Sequence, residues 1–359
     1  TAKRRILWLD YARSFAILSV VIMHCTERVY NMDYTDILSL GAFSVVFRDI
    51  CVTFGRIGVP LFFMLSGYLL LDRDYSSSDK IFAFYKHNLI PLVITSEIWI
   101  VIYGITFLAD SSAGYTVTNL VEDMLFLKAH DMGHMWYIPV IIGIYIALPF
   151  VSNAVKKISV RAFWVPLTFL FALSFVFYTL RLLQDSLGWQ VALSSTLDTA
   201  FLGGVYGFYV LMGLMCKRCA FKKIPSPVLL VLGAVFFGIT VWTLYGLRAA
   251  GYDFHLWYNY PPLLICSVCL FVLFSRMNTH RAAAKRFAPA ATAVSTVSFG
   301  MYFLHVPILR NLISGFKALG ISEPLTLLLF AAVVFILTAL VAYILSKIPV
   351  VKRLLLNIK

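Results

Sequence analysis

In the run LDYARSFAILSVVIMH, Leu9 to His24, three side chains could do chemistry in a setting built for lipid. Asp10, Arg13 and His24 are ionisable, and the residues between them are largely apolar. An ionisable group within a bilayer costs at least a few kcal/mol, so each needs a partner, water or a task. Asp10 and Arg13, three residues apart, are neighbours on one helix face. Arg13 and His24 are close to three helical turns apart, so His24 lies almost in line with them. At about 1.5 Å per residue, Asp10 and His24 are separated by roughly 21 Å. Glu27 and Arg28 continue the stripe at i+3 and i+4 from His24. An ion pair at Asp10–Arg13 and an interfacial histidine would account for these residues singly. Their alignment reads instead as the lining of a passage, with Asp10 as the partner of Arg13.

The elements that must position such a stripe follow from composition. The chain has 359 residues, 61% apolar and only 13% charged, with a mean hydropathy of +0.86. A soluble domain of this size would carry far more charge. Apolar runs long enough to span a bilayer recur throughout. The expected fold is an all-α integral membrane protein, a single domain over 1–359. Its ten expected spans lie near 6–29, 42–71, 88–108, 134–151, 162–181, 200–216, 226–246, 257–275, 292–313 and 324–346. The first run is full length and carries charge inside it, unlike the core of a cleavable signal.

Most of the 30 Lys and Arg residues fall in alternate loops. These hold Lys3, Arg4 and Arg5; Arg73, Lys80 and Lys86; Lys156, Lys157 and Arg161; Lys217, Arg218, Lys222 and Lys223; Arg276, Arg281, Lys285 and Arg286; and Lys347, Lys352, Arg353 and Lys359. The opposite loops are assigned the acids Asp33, Asp36, Asp49, Asp110, Glu122, Asp123, Asp131, Asp185, Asp198 and Asp253. The bias places both termini in the cytoplasm. The net charge of +13 then reflects orientation and attraction to anionic lipid, and no nucleic-acid partner is expected. The pairs Cys216/Cys219 and Cys266/Cys269 read as packing residues rather than zinc ligands, because they sit at different depths. No metal is expected. Cys25 and Cys51 are close enough to one end to be considered as a disulfide. There is no P-loop, G-x-S-x-G elbow or HExxH helix.

The spacing Asp10-x-x-Arg13 followed by ten residues and His24 resembles the bacterial membrane acyltransferase-3 family. RIGVPLFFMLSGYLL (Arg56–Leu70) resembles its second-helix motif, HMWYIPVIIGIYIALP (His134–Pro149) its His-x-Trp segment, and SFGMYFLH (Ser298–His305) the motif of its penultimate helix. They occur in the family's order across nearly the whole chain. Ser14 stands where the family commonly has Gly. Where many members carry an Arg-rich cluster after the second helix, this chain has LDRDY, with Arg73 between Asp72 and Asp74.

The resemblance implies an enzyme of the bacterial cytoplasmic (inner) membrane that uses an acyl-CoA, commonly acetyl-CoA, as its acyl donor. The implied acceptor is a hydroxyl of an extracytoplasmic or lipid-linked glycan. Arg73, Lys80 and Lys86 would meet the nucleotide phosphates at the inner face, and the pantetheine arm would thread toward His24. Acyl transfer needs a base and donors for the developing oxyanion, and an ordinary histidine titrates in the right range for the base. His24 is the expected base, with Glu27 as a candidate to orient it. Transfer through an acyl-histidine is the lesser alternative. Arg13 lines the donor path, and Glu97, at similar depth, is a candidate partner for it. Ser66 lies deeper in the second span. Arg56 and His305 are candidates for the oxyanion, Tyr302 for a hydrogen bond, and His134 and Trp136 for the acceptor. Gly58 and Gly67 suit close helix packing. His87 reads as a solvated loop residue. The rival reading is a secondary transporter or glycan flippase, since buried Asp, Arg and His also build relays.

Overall fold

A computed structural model describes residues 5–32, 34–110, 114–128, 132–180, 204–252 and 254–358. Lys3, Arg4, Asp33, His130, Asp131, Asp185, Asp198, Asp253 and Lys359 lie outside the described residues, as do position 181 and positions 200–203 of two expected spans. Among the described residues every regular element is a helix. Eight stretches are long and apolar enough to cross a membrane, and two of the expected spans are shorter apolar helices. The protein is an all-α membrane protein.

The stripe-bearing helix α1 (Leu7–Val29) sits at the centre and packs against many neighbours. After a short α2 (Tyr34–Ser39), the expected span at 42–71 is two helices, α3 (Ala42–Arg56) and α4 (Gly58–Leu70). They part at Ile57 because Pro60 has no N–H to offer the Arg56 carbonyl. The break leaves Arg56 at a helix end, free to turn toward α1. Helix α5 (Ser78–Phe84) continues through a π-turn at Tyr85–Leu89 into α6 (Ile90–Ala109), and α7 (Val117–Met124) follows. A 3-10 turn at Gly133–Trp136 opens α8 (Tyr137–Val155), and α9 (Val160–Phe171) follows.

The later helices are α10 (Gly204–Lys217), α11 (Ser226–Ala249), α12 (Pro261–Ser275), α13 (Ala282–Lys317), α14 (Glu323–Leu345) and α15 (Pro349–Leu354). The span expected from residue 257 begins only at Pro261, since Pro261 and Pro262 suit a helix's first positions and no earlier turn. Trp257–Tyr260 therefore form an irregular segment rather than helix. Helices α11 and α14 present bare Leu230, Val231, Trp242, Leu328 and Ile336 outward, as a lipid-facing surface requires.

Two glycines fix the tightest crossing. A Cβ on Gly67 would stand 1.8 Å from the Val210 carbonyl oxygen, and one on Gly213 2.0 Å from that of Met64, so α4 and α10 touch backbone to backbone. Gly58 meets the Ala16 carbonyl of α1 in the same manner, at 2.5 Å. Both glycines singled out in the sequence are thus packing residues. Gly67→Ala is expected to cost about 1–3 kcal/mol or more, as overpacking does, read as a lowered thermal midpoint in detergent.

The loops grouped by charge also meet in space. Asp72 pairs with Lys217 at 3.7 Å and Arg218 at 3.5 Å, and Asp74 with Lys80 and, at 3.4 Å, Lys156. The Lys80 ammonium and the Ser76 hydroxyl hold the exposed Asp74 carboxyl well below the usual carboxylate range. Asp49, assigned to a loop from sequence, instead lies within α3 and is fully buried.

Candidate functional site

Two cavities are strung along α1. The first, of about 380 Å³, lies toward its N-terminal half and is lined by Arg13, Ser66, Arg73, Tyr137, Tyr145 and Tyr302, among others. The second, of about 290 Å³, lies toward its C-terminal end and is lined by His24, Glu27, Arg28, Arg56, His134, Trp136, Trp257 and Arg310, among others.

In the first cavity, Arg13 is not held by Asp10. Arg5 folds back from the extended residues before α1 and grips Asp10 with both ends of its guanidinium, Nε at 2.6 Å and Nη2 at 2.9 Å. Ser295 donates to the same carboxylate at 2.7 Å. Arg13 reaches only the Ser295 hydroxyl, at 3.4 Å, and otherwise faces the cavity. The expected Asp10–Arg13 pair is therefore replaced by Arg5–Asp10, which anchors α1 to α13.

Glu97 does not pair with Arg13 either. Helix α6 turns Thr95, Trp99 and Tyr103 into the core, where Trp99 donates to the Leu355 carbonyl at 2.9 Å and Tyr103 to that of Phe303 at 2.5 Å. Two residues from Thr95 and from Trp99, Glu97 is rotated by about 200° from each. One of its carboxylate oxygens is buried with no hydrogen-bond partner among the described residues.

At the cavity mouth, Arg73 donates to the Leu69 carbonyl at 3.0 Å and keeps a cavity-facing position. Its neighbours Asp72 and Asp74 are turned to other cations, so they do not neutralise it. Lys80 is tied to Asp74, and Lys86 is exposed; neither lines the cavity. In their place stand His87, Asn88 and Asn357. His87, read from sequence as solvated, is exposed yet forms part of the wall because the π-turn widens the helix there. Tyr137, Ile141 and Tyr145 were missed. Their i, i+4, i+8 spacing on α8 is the signal that marks one face.

In the second cavity His24 Nδ1 lies 2.9 Å from Glu27 Oε2. With the carboxylate ionised, that nitrogen carries the proton and Nε2 presents its lone pair. Arg56 Nη2 approaches the other Glu27 oxygen at 3.7 Å. Its guanidinium lies 4.9 Å from the Trp257 ring and 5.5 Å from that of Tyr258, and donates to the Tyr258 hydroxyl at 3.4 Å. The Trp136 ring lies tilted at 5.4 Å from both Trp257 and Tyr206, completing an aromatic wall. The irregular segment created by Pro261 and Pro262 supplies Trp257 and Tyr258 to this wall.

His305 and Tyr302 lie at the boundary between the cavities. His305 is 5.1 Å from His24 and 5.4 Å from His134, ring to ring, and is fully buried. Its Nδ1 donates to the Met301 carbonyl at 3.1 Å, and Nε2 is buried without a partner among the described residues. The Tyr302 hydroxyl donates to the His134 carbonyl at 2.6 Å. Tyr302 lines the first cavity and His134 the second, so this hydrogen bond closes the wall between them. Arg310 was not singled out from sequence, since it lies beyond the His305 motif. Cys25 and Cys51 are both free thiols.

The chain belongs to the acyltransferase family whose domain matches residues 6–347. Among curated proteins, it is similar to a serine/alanine racemase of Enterococcus gallinarum, 30% identical over 142 residues, or 37% of this chain and 18% of the racemase. An amino-acid racemase of Enterococcus faecalis is 29% identical over 181 residues, 50% of this chain and 22% of that protein. The chain spans about a fifth of the length of these curated relatives. No solved structure matches.

Proposed function

We propose that the protein moves an acyl group, in the first instance acetyl, from cytoplasmic acyl-CoA to a hydroxyl of an extracytoplasmic or lipid-linked glycan. In this reading it sits in the bacterial inner membrane, with both termini cytoplasmic. The carrying observation is the pair of cavities on α1, with two arginines lining the first, three lining the second, and a His24–Glu27 pair in the latter. The acyl-CoA phosphates meet Arg73, and the pantetheine arm passes Ser66, Tyr145 and Arg13. The thioester then comes up to the Tyr302–His305 wall. The acceptor hydroxyl enters from the other side.

His24 Nε2 takes the hydroxyl proton as oxygen attacks the thioester carbon, and Glu27 steadies the imidazolium. Arg56 is best placed to meet the oxyanion, because it lines the cavity beside His24 and its Nη2 stands 3.7 Å from Glu27. Collapse breaks the C–S bond, and the proton on His24 goes to the departing thiolate. Tyr302, engaged with the His134 carbonyl, must release that bond to let the thioester through. The racemases share only a stretch with this chain, and their activity is not carried to it.

A transporter or flippase is the second reading, because cavities on either side of a closed wall also fit alternating access. Labelled acetyl-CoA added to purified protein in proteoliposomes separates the two. Acyltransfer predicts saturable acetyl-CoA binding and slow release of CoA even without acceptor. Arg73→Ala is expected to weaken acetyl-CoA about tenfold, one charge-assisted contact. Lys80→Ala, which removes a lysine already tied to Asp74, is expected to leave it within about twofold. Absence of both binding and turnover overturns the enzyme reading in favour of transport.

A further inference from the structure

The outer cavity has more positive charge than its own acids can answer. Arg28, Arg56 and Arg310 all line it, and Glu27 is the one acid among its lining residues. Glu27 is already shared between His24 and Arg56, and Arg28 is near enough to feel its charge without reaching ion-pair distance. Arg28 and Arg310 make no ion pair among the described residues. Beneath the Arg310 guanidinium lies the Phe107 ring, 5.8 Å away, with the Tyr103 side chain near enough to interact with it. The two guanidinia are close enough to interact electrostatically with each other. Like charges held together beside a catalytic histidine raise the energy of the empty site and are relieved by an anion. Elsewhere in the protein, acids and cations answer one another: Asp10 with Arg5, Asp49 with Arg48 and Arg248, Asp72 with Lys217 and Arg218. The Arg28–Arg310 pair lies where the acceptor must bind.

We infer that the acceptor carries an anionic group, a carboxylate or a phosphate, which Arg28 and Arg310 hold while its hydroxyl faces His24. This rests on the acyltransferase reading and deepens it by naming the acceptor's chemical class. The geometry separates the tasks. Arg56 is engaged with Glu27 and the aromatic wall and stays near the reacting centre, leaving Arg28 and Arg310 as the bidentate donors that planar anions favour. Arg28 is one turn beyond His24 on α1 and Arg310 lies five residues beyond His305 on α13, so the anion bridges the two helices that carry the reactive rings.

The test uses the full chain in phosphatidylcholine nanodiscs, with methyl glucuronoside, glucose 1-phosphate and methyl glucoside as probes. Calorimetry is expected to show either anionic probe, or both, binding at least about tenfold tighter than the glucoside, with affinity falling as salt rises. That preference disappears in the Arg28→Gln/Arg310→Gln double variant and persists in Arg28→Lys/Arg310→Lys, which keeps the charge and controls for folding. Carboxylate and phosphate sources are told apart by which probe gains more. Equal affinity for charged and neutral probes, no binding of either anion, or a preference untouched by the Gln variant overturns the inference. So does displacement by phosphatidylglycerol in the discs without any anionic-sugar binding, which would assign the arginines to lipid. Acetyl transfer to the neutral glucoside as fast as to the charged sugars sinks the inference and leaves the acyltransferase standing. Anion preference with no acetyl-CoA turnover does the reverse: it upholds the anion site and removes the reading it was meant to serve.

Discussion

His24→Ala is expected to lower acyl transfer by about 10²- to 10⁴-fold, the usual contribution of a positioned general base, while acetyl-CoA affinity stays unchanged. The split follows from the layout of α1. His24 lines the second cavity and Arg13 the first, and the Tyr302–His134 hydrogen bond separates them. Removing an imidazole at one end leaves every donor-side contact in place. Glu27→Gln should fall in the same direction by less, because it removes the partner of His24 Nδ1 and of Arg56 but leaves both side chains present. Single-turnover kinetics with equilibrium binding of acetyl-CoA measure the two effects separately. Acid-quench trapping of an acetylated protein distinguishes direct attack by the acceptor from an acyl-histidine route, which His24→Ala alone cannot do. Full turnover in His24→Ala would transfer the base to His305. Its Nε2 is buried and bare, and its ring lies 5.1 Å from that of His24.

What was legible in the sequence was whatever obeys a local period. The stripe of Asp10, Arg13 and His24 lies on one helix, so residue spacing alone placed the charges at opposite halves of the bundle. Gly58 and Gly67 declared tight packing because a glycine in a spanning helix has little other reason to be there. Partner choice was not legible, since it depends on rotations between helices that no single segment encodes. Asp10 met Arg5 because the residues before α1 fold back, and Glu97 missed Arg13 because Trp99 and Tyr103 claimed the core face of α6. Charge and position make Lys80 a phosphate ligand in the sequence, but Asp74, six residues earlier, holds it in an ion pair. His87 and Asn88 entered the first cavity through a π-turn, a one-residue irregularity without a sequence period. Arg310 lay one motif too far along the chain, and only the fold of α13 against α1 brings it beside Arg28. Which residues line the two cavities was therefore partly readable one by one, and how they are wired to each other was not.

The second large effect is on stability, at a cluster the reaction does not use. Asp49 is fully buried in α3, its Oδ1 2.7 Å from Arg48 and 3.5 Å from Arg248 of α11. One carboxylate thus joins two helices through two guanidinia that are themselves largely buried, at 19% and 6% side-chain exposure. Asp49→Asn keeps the shape and removes the charge, leaving those guanidinia facing each other in a poorly solvated site. Breaking such a buried arrangement by deleting one member costs about 3–5 kcal/mol, so the variant should unfold at markedly lower temperature or denaturant in detergent. Replacing the charges together is a different matter, since well-packed apolar residues can match a buried pair. Asp49→Leu with Arg248→Met should therefore recover much of the loss, and the double-mutant cycle measures the coupling directly. The effect should also reach the site. Arg56 is seven residues beyond Asp49, about two turns along the same face of α3, and it is α3 that holds its guanidinium over Trp257. A loosened α3–α11 contact should lower transfer through a displaced Arg56 while leaving acetyl-CoA binding at Arg73 intact. If Asp49→Asn melts like the native chain, water must reach the cluster in the bilayer, and α3 owes its position to its packing on α1 and α4 instead.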